Sequence, residues 1–367
     1  MQLDTGAHGY YCVGDQIYYN KLEALYYATK INQLPTWVFH DDVYSKLDWT
    51  QRPPGTLTQL YKERAQQIRD EYDYVIVHFG GGMDSWTVLD SFLSNGIHVD
   101  EVYTRWPRAE RKYMDANTNN THESNLGSEY EYATLPVLEN IKKNFPNTYI
   151  YIDDISEAFH TEFKESVLLA SNNFQSMGTY YRHGRKSDRE LALSNTNKKI
   201  AVVLGHDKTC VSLSDNKWSA YFVDVGMGSD KDLSRKNEFF YWSPKFPLIP
   251  VLQAHCLIDQ ITRQDLSHKA GPIGPIGSSD NMRKLYATAC YPNYNINTFQ
   301  AGKPLGTLLR ASESWISQYN PDYFKSWQWN VNQLINGIDK KYLKKRSNIT
   351  VGINFNNSRE YFIRSAT

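Results

Sequence analysis

Apolar residues are nearly continuous over residues 72–79, and they recur at helical spacing over residues 86–96. The first stretch reads Tyr-Asp-Tyr-Val-Ile-Val-His-Phe, which is rich in β-branched and aromatic side chains. Such a run predicts a strand buried on both faces, as is typical of the centre of a parallel sheet. The second stretch places its apolar residues on one face and closes with Asn95-Gly96, a pair suited to the left-handed turn after a helix. The pattern therefore predicts a strand, a loop and a helix at the centre of the fold.

Further strands and helices alternate around this unit. Helical spacing predicts helices at residues 58–71, 130–144 and 156–169, and β-type runs predict strands at residues 99–106, 148–153 and 199–204, with 220–224 as a candidate fifth strand. Alternation of this kind predicts an α/β fold with a doubly wound, mainly parallel sheet.

The pattern changes towards both ends of the chain. Residues 10–31 predict a small β-hairpin followed by a helix, and from residue 236 onwards the chain is rich in aromatic residues and proline, with no regular alternation. We therefore predict three parts. These are a small N-terminal α+β element at 1–57, an α/β domain at 58–260, and a mainly helical part at 261–367 that serves as a lid or as a substrate or partner region.

Composition narrows the class of protein. The 367-residue chain is 41% hydrophobic, enough for a sizeable core, and its 40 basic and 40 acidic residues cancel. Zero net charge gives no global attraction to nucleic acid or to an anionic membrane, although a local nucleic-acid contact stays open. No stretch approaches the ~20 consecutive apolar residues of a membrane span, and the first residues lack the pattern of a signal peptide. We expect a cytoplasmic protein without a membrane partner.

The positions of the cysteines argue against a metal site or a disulfide framework. Cys12, Cys210, Cys256 and Cys290 are far apart and form no Cys-x-x-Cys pair. This spacing argues against a zinc site, an iron–sulfur cluster and a disulfide scaffold.

A glycine-rich loop, Gly80-Gly81-Gly82-Met83-Asp84-Ser85, joins the central strand to its helix. Glycines let the backbone approach a ligand closely, and the free N–H groups and dipole of a helix N-terminus favour an anion, so the expected ligand is a phosphate. Ser85 adds a hydroxyl donor, while Asp84 either caps the helix or holds a metal ion bound to the phosphates. The spacing matches neither the Walker loop nor the dinucleotide loop. A glycine-rich turn that binds nothing is the alternative.

The loop resembles the Ser-Gly-Gly-x-Asp-Ser motif of the PP-loop ATP pyrophosphatases, the adenine nucleotide alpha hydrolase-like superfamily. Gly81, Gly82, Asp84 and Ser85 match the motif, and Gly80 stands where the family has a serine that helps to hold pyrophosphate. In layout, residues 58–260 are most similar to phosphoadenosine phosphosulfate reductase-like proteins, including those of large bacteriophages. The resemblance implies a PP-loop (HUP-like) fold with ATP and Mg²⁺ as cofactors, in the host cytoplasm if the protein is viral.

The resemblance also implies which residues contact the nucleotide. Besides the loop itself, including Met83, these are Phe79 before it and Thr104 and Arg105 at the end of the second strand, beside the adenine. Asp84 and Ser85 take catalytic roles, and Asp84 holds Mg²⁺ through the bound ATP.

The end of the fourth strand supplies further candidates. The carboxyl ends of parallel strands form the ligand crevice, so Gly205, His206, Asp207 and Lys208 should lie near the glycine loop. We assign Gly205, His206 and Asp207 to nucleotide binding and Lys208 to catalysis, as a phosphate contact. A helix cap at Asp207 and a solvated turn at His206 and Lys208 are the alternatives.

A dense basic segment lies between the third and fourth strands. Arg182, His183 and Arg185 belong to it, and arginine is suited to bidentate phosphate contacts, so we assign these three residues to substrate binding. A solvated loop is the alternative.

The resemblance implies an enzyme that cleaves ATP between the α and β phosphates, releases pyrophosphate and adenylates a small molecule or nucleobase for amidation or thiolation. A non-catalytic nucleotide-binding module associated with nucleic acid stays open as a second function. Sulfonucleotide reduction is less favoured, because the Glu-Cys-Gly-type segment of those reductases is missing. The identity of the acceptor and assembly into a homo-oligomer also stay open.

Overall fold

The computed structural model describes residues 9–113, 130–159, 188–205, 208–224, 235–264, 280–298, 316–346 and 349–366. The strands are β1 (Tyr10–Val13), β2 (Gln16–Tyr18), β3 (Thr36–Val38), β4 (Tyr74–His78), β5 (Glu101–Arg105), β6 (Tyr149–Asp153), β7 (Ile200–Leu204), β8 (Cys210–Ser214), β9 (Lys217–Tyr221), β10 (Arg235–Phe239), β11 (Leu343–Arg346), β12 (Ile349–Ile353) and β13 (Tyr361–Ser365). The helices are α1 (Lys21–Ile31), α2 (Asp41–Tyr44), α3 (Leu57–Glu71), α4 (Met83–Leu93), α5 (Leu135–Asn144), α6 (Asp188–Ser194), α7 (Leu248–Arg263), α8 (Asp280–Cys290), α9 (Ile316–Tyr319) and α10 (Pro321–Asn336).

Five parallel strands form the central sheet, in the spatial order β10, β7, β4, β5, β6. The strand predicted from the apolar run, β4, lies at the centre, where His78 pairs with Tyr103 on one side and with Leu204 on the other. Its middle residues are fully buried because a neighbouring strand covers each edge and other elements cover both faces. The predicted α/β class and parallel sheet are confirmed.

The helices that flank β4 begin and end as their sequences indicate. Thr56 caps α3, because its side chain accepts a hydrogen bond from the Gln59 N–H at 3.2 Å. After α4 the chain turns at Gly96, whose φ of 69° lies in the left-handed region that glycine adopts without strain. α3 and α4 pack against each other and against β4. The glycine-rich loop is therefore held between two well-defined elements.

The fifth strand of the parallel sheet is β10, so the assignment of residues 220–224 to that role is wrong. The start of that segment belongs to β9, which is antiparallel to β8 and β13 in a separate three-stranded sheet. β8 and β9 are joined by Asp215 and Asn216, both with positive φ, so the chain reverses in a hairpin where a parallel strand would need a crossover. β10 lies at an edge of its sheet, and its first four residues, Arg-Lys-Asn-Glu, form no apolar run. Its Glu238 is nevertheless buried, where it pairs with Arg64.

The predicted N-terminal hairpin and helix are confirmed as β1, β2 and α1, and β3 adds a third strand to the hairpin. In the C-terminal part, the described residues form helices α8 to α10 and also strands β11 to β13. β13 pairs with β9, so segments on either side of residue 261 share one sheet. The three-part division of the chain stays a prediction.

Aromatic residues fill much of the core. Phe222 contacts aromatic side chains from distant parts of the chain: Phe39, Tyr44, Trp49, Trp242 and Tyr361. This packing accounts for part of the high tyrosine and tryptophan content. Over the ranges given above, we find no helix with the length and apolar character needed to cross a membrane.

Candidate functional site

The candidate site lies where the order of the parallel strands reverses. β4 is followed in the chain by β5 on one side, whereas the strand on its other side, β7, comes much later. In open parallel sheets the crevice at such a switch point, outside the carboxyl ends of the strands, is where ligands bind. The glycine-rich loop follows β4, and Gly205 follows β7, so both lie at this point.

The first two glycines of the loop have different roles. Gly81 has a φ of 81°, and a Cβ at that position would lie 2.4 Å from Oγ1 of Thr134, so only glycine fits. Gly80 is exposed and lacks a positive φ, and no atom of the described residues lies within 4 Å of where its Cβ would be. Position 80 therefore accepts a side chain, whereas position 81 does not.

Gly82 forms the N-cap of α4, and among the described residues no side-chain hydrogen bond caps this helix end. The Ser85 hydroxyl instead closes the loop, because it accepts from the Gly80 N–H at 3.3 Å and donates to the Gly82 carbonyl at 3.1 Å. Met83 starts the helix with its side chain buried in the core. The helix thus presents its first N–H groups and its dipole towards the partly exposed loop.

Gly205 allows the end of β7 to approach the start of α4. A Cβ on Gly205 would lie 2.9 Å from the carbonyl carbon and oxygen of Asp84 and from Cα of Ser85. These are backbone atoms at a helix start, so they cannot move aside as a flexible side chain would. For Gly205, the expected proximity to the glycine loop is confirmed.

Asp84 and Lys208 form an ion pair across the two loops. The Lys208 ammonium lies 3.2 Å from Oδ1 of Asp84, and 29% of the Asp84 side chain and 13% of the Lys208 side chain are exposed. Lys208 also lies 5.4 Å from the ring centroid of Tyr286 and 5.9 Å from that of Tyr291. The site therefore combines a carboxylate and a cation beside a helix N-terminus.

Two tyrosines that no sequence motif indicated also form hydrogen bonds with Asp84. The Tyr291 hydroxyl donates to Oδ1 of Asp84, and the Tyr241 hydroxyl donates to the Asp84 backbone carbonyl at 2.7 Å. Burial raises the pKa of both phenols well above the ordinary value, and the Asp84 carboxylate raises it further. Both groups therefore stay protonated donors. Only their place in an aromatic segment could have drawn attention to them, and that pattern is equally typical of a core.

The residues predicted to lie beside the adenine support the loop from one side. The buried Thr104 hydroxyl donates to the Phe79 carbonyl at 2.8 Å, and the Phe79 N–H donates to the Tyr103 carbonyl at 2.9 Å. Arg105 donates from Nε to the Tyr103 hydroxyl at 2.6 Å, and that hydroxyl donates to Oδ2 of Asp153 at 2.5 Å. In this conformation Thr104 tethers the chain before the loop, while Arg105 is engaged with the neighbouring strand ends.

Several predicted residues cannot be placed. His206 and Asp207, and the substrate-binding candidates Arg182, His183 and Arg185, lie outside the described residues. Arg189, at the end of the same basic segment, bonds Glu101 at 2.5 Å and the Tyr74 hydroxyl at 3.0 Å. Those two residues begin β5 and β4, so Arg189 lies at the end of the sheet opposite the glycine loop.

In the part of the chain that the structure describes, neither the cysteines nor the acidic residues form a disulfide or a metal-holding cluster. All four cysteines are free, and burial raises the pKa of Cys256 and, more strongly, of Cys290. Over the described ranges, no three His, Cys, Asp or Glu side chains come together in a way that could hold a metal ion. A metal ion at Asp84 would therefore have fewer than three such ligands from the described residues, and it would need further oxygen ligands from a bound molecule.

No protein-family model, curated protein or solved structure matches this chain.

Proposed function

We propose that the protein binds ATP with Mg²⁺ on the loop from Gly80 to Ser85 and cleaves it between the α and β phosphates to adenylate a small molecule or nucleobase. The observation that supports this most directly is the Asp84–Lys208 pair beside an uncapped helix start at the switch point of a parallel sheet. This arrangement brings backbone donors, a cation and a carboxylate to one place. On this proposal the sheet is a doubly wound PP-loop (HUP-like) fold, and the protein acts in the cytoplasm.

The loop suits a polyphosphate for three reasons. The N–H groups at the start of α4 face the loop, where an anion is favoured by the helix dipole. Gly80 is exposed with open space around it, so a phosphate can approach the backbone there. Lys208 reaches the same point from β7 and can follow a phosphate as a flexible point charge.

The residues also fit Mg²⁺ in the form bound to ATP. Magnesium is commonly held by one or two carboxylates together with substrate phosphates and water. Asp84 provides one partly exposed carboxylate at the start of α4, which supports this role. When bound, Mg²⁺ would neutralise the negative charge that develops on the departing phosphates.

In the proposed reaction an oxygen of the acceptor attacks the α-phosphorus, and the bond from that phosphorus to the bridging oxygen breaks. The electron pair leaves with pyrophosphate, and the acceptor carries the adenylyl group until a nitrogen or sulfur nucleophile displaces AMP. The chain's own part is to bind the leaving phosphates with backbone N–H groups and Lys208, which stabilises charge as it develops. The Ser85 hydroxyl would join them by turning from the Gly82 carbonyl, to which it donates in this structure. The basic segment with Arg182, His183 and Arg185 would bind the acceptor.

A second candidate function is nucleotide binding without turnover, in a module associated with nucleic acid. Gly80 favours it, because this position lacks the serine hydroxyl that the related motif uses to hold pyrophosphate. Sulfonucleotide reduction has less support, because reactive cysteines need a lowered pKa, whereas burial raises that of Cys256 and Cys290.

Calorimetry with matched variants tests the binding. Asp84→Asn should weaken the binding of Mg·ATP by about tenfold or more, as expected when a charged ligand of the metal is lost. Asp90→Asn makes the same chemical change on the same helix, two turns away from the loop, and should leave the affinity unchanged. Equal affinities for the wild type and Asp84→Asn would exclude the loop as the nucleotide site.

Product analysis distinguishes the two candidate functions and the reaction type. With candidate acceptors present, chromatography should detect AMP and pyrophosphate. ADP with orthophosphate as the only products would contradict cleavage between the α and β phosphates. Tight binding without turnover on any acceptor would favour the non-catalytic module.

A further inference from the structure

Asp84 is held by two residues that come from distant parts of the chain. Lys208 follows β7, and Tyr291 directly follows α8, yet both bond the same carboxylate oxygen, Oδ1. Tyr291 is 1% exposed, so its hydroxyl has a fixed direction. The Tyr291 hydroxyl is therefore a rigid donor that orients the Asp84 carboxylate, the group that would bind the metal.

A buried chain of hydrogen bonds connects the backbone next to each of these two residues. Thr209, which follows Lys208, bonds the Gln253 side-chain oxygen through its N–H at 3.3 Å. The Gln253 amide nitrogen donates to the Tyr61 hydroxyl at 2.8 Å, and that hydroxyl donates to the carbonyl of Cys290, the residue before Tyr291, at 2.7 Å. Thr209, Gln253, Tyr61 and Cys290 are all at most 1% exposed.

This chain of bonds makes the position of Tyr291 dependent on α3 and α7. A buried polar group without a partner costs free energy, so the arrangement in which all of these hydrogen bonds are formed is strongly favoured. The amide oxygen of Gln253 bonds Thr209, the residue after Lys208. The amide nitrogen bonds Tyr61, which in turn bonds the residue before Tyr291. A substitution at Gln253 should therefore alter the positions of both Lys208 and Tyr291, which bond Asp84.

We propose that Tyr291 is a positioning residue that orients Asp84 towards nucleotide-bound Mg²⁺, and that the Tyr61–Gln253 bonds fix Tyr291 in place. The inference rests on the proposed function, since it concerns the metal of the same site. Carboxylates that bind metals are commonly held by such outer hydrogen-bond partners, and loss of one partner typically lowers metal affinity by about 10–100-fold. The C-terminal part of the chain thus sets how strongly nucleotide binding depends on Mg²⁺.

The first test uses Tyr291→Phe, which removes the donated hydroxyl and keeps the buried ring. Binding of ATP is titrated by calorimetry over a series of Mg²⁺ concentrations and also in EDTA. The Mg²⁺ concentration for half-maximal binding should rise by about tenfold or more, while the affinity for metal-free ATP, which depends on backbone donors, should stay within about twofold of wild type. A general loss of folding would lower both affinities.

Tyr44→Phe is the matched control. Tyr44 is also fully buried, and among the described residues its hydroxyl has no hydrogen-bond partner. It packs in the aromatic core around Phe222. This variant should leave both affinities unchanged, which shows that loss of a buried tyrosine hydroxyl is not sufficient for the effect.

The second test asks whether Gln253 acts through Tyr291. Gln253→Leu should raise the Mg²⁺ requirement in the same direction, and the double variant with Tyr291→Phe should show less than the sum of the two effects, because the two residues act on one carboxylate. Circular dichroism confirms that each variant is folded at the temperature used. If the two substitutions have fully additive effects on the Mg²⁺ requirement, Gln253 does not act through Tyr291 and the proposed connection is wrong.

The failure of this inference can be told apart from the failure of the proposed function. If wild type binds Mg·ATP and Tyr291→Phe leaves the Mg²⁺ requirement unchanged, the positioning role is wrong and the proposed function stands. An equal loss of metal-free and metal-bound ATP in Tyr291→Phe also overturns the positioning role, because it shows damage to the loop itself. If wild type does not bind ATP at all, the proposed function and this inference fail together.

Discussion

Lys21 Nζ lies 2.6 Å from Oδ2 of Asp224, and both side chains are almost completely withdrawn from solvent. The Tyr11 hydroxyl donates to the same oxygen at 2.8 Å, the Asn356 N–H donates to Oδ1 at 2.8 Å, and Lys21 also donates to the Asn354 carbonyl at 2.8 Å. Burial lowers the pKa of Lys21, and Asp224 opposes this shift by stabilising the charged ammonium. The pair joins the start of α1, the segment after β9 and the segment before β13.

Asp224→Asn should strongly destabilise the protein. The substitution leaves a buried ammonium without its countercharge, and breaking a buried pair on one side costs about 3–5 kcal/mol. Asp322→Asn, on a side chain that is 98% exposed, should change the free energy of unfolding by less than about 0.5 kcal/mol. Urea denaturation of both variants checks this, and a loss below about 1 kcal/mol for Asp224→Asn would show that Lys21 finds another partner or stays neutral at little cost.

Gly81→Ala and Gly80→Ala form a matched pair within one loop. At position 81 the left-handed backbone alone costs about 1–2 kcal/mol for alanine, and the new Cβ also clashes with Thr134. At position 80 the backbone and the surrounding space accept alanine. We expect a clear fall in melting temperature for Gly81→Ala and little change for Gly80→Ala. A similar fall in both would mean that the loop adopts another conformation in solution.

Gly80→Ser tests whether a hydroxyl at this position strengthens phosphate binding by the loop. The side chain enters open space at the exposed end of the loop, and one added hydrogen bond to a charged group should increase affinity for pyrophosphate by about tenfold. Gly80→Ala is the control for the added volume. Calorimetry with pyrophosphate and Mg²⁺ measures the change. Equal affinity in the serine and alanine variants would indicate that the phosphate lies elsewhere on the loop.

Acid should destabilise the cluster around Glu238. Burial by itself raises the pKa of this carboxyl, but Arg64 at 2.6 Å, Tyr72 and Lys245 outweigh it, so the net pKa is lowered from 4.5. The folded state therefore binds its proton less readily than the unfolded state. This contribution to stability is fully present above pH 4.5 and is lost as the pH falls through the lowered folded pKa.

Urea denaturation of Glu238→Gln at several pH values measures this contribution. The variant leaves the buried Arg64 without its countercharge, so at about pH 6 we expect a loss of about 3–5 kcal/mol relative to wild type. That difference should shrink in acid, where the wild-type carboxyl is itself protonated. Glu360→Gln, at an exposed position, should follow the wild-type curve. A difference that is constant with pH would show that the effect is one of packing and not of charge.

The sequence by itself determined the elements whose signals are local. The apolar run that becomes β4 predicts a central strand because a strand covered on both faces must be apolar throughout, and Asn95-Gly96 marks the end of α4 because few residues adopt the left-handed turn. The glycine loop between them could be predicted because its signal, three successive glycines, is also local. The sequence also indicated that Lys208 would meet this loop, because parallel strands place their carboxyl ends at one edge of the sheet.

Only the tertiary structure decided the long-range pairings. The sequence of β10 is mostly polar, and nothing local distinguishes it from a loop. The contact of Tyr291 with Asp84 joins residues 207 positions apart, and the Lys21–Asp224 pair likewise depends on how distant segments pack. Such contacts have no periodic signature, because they are set by the free energy of the whole folded chain and not by the conformational preferences of neighbouring residues.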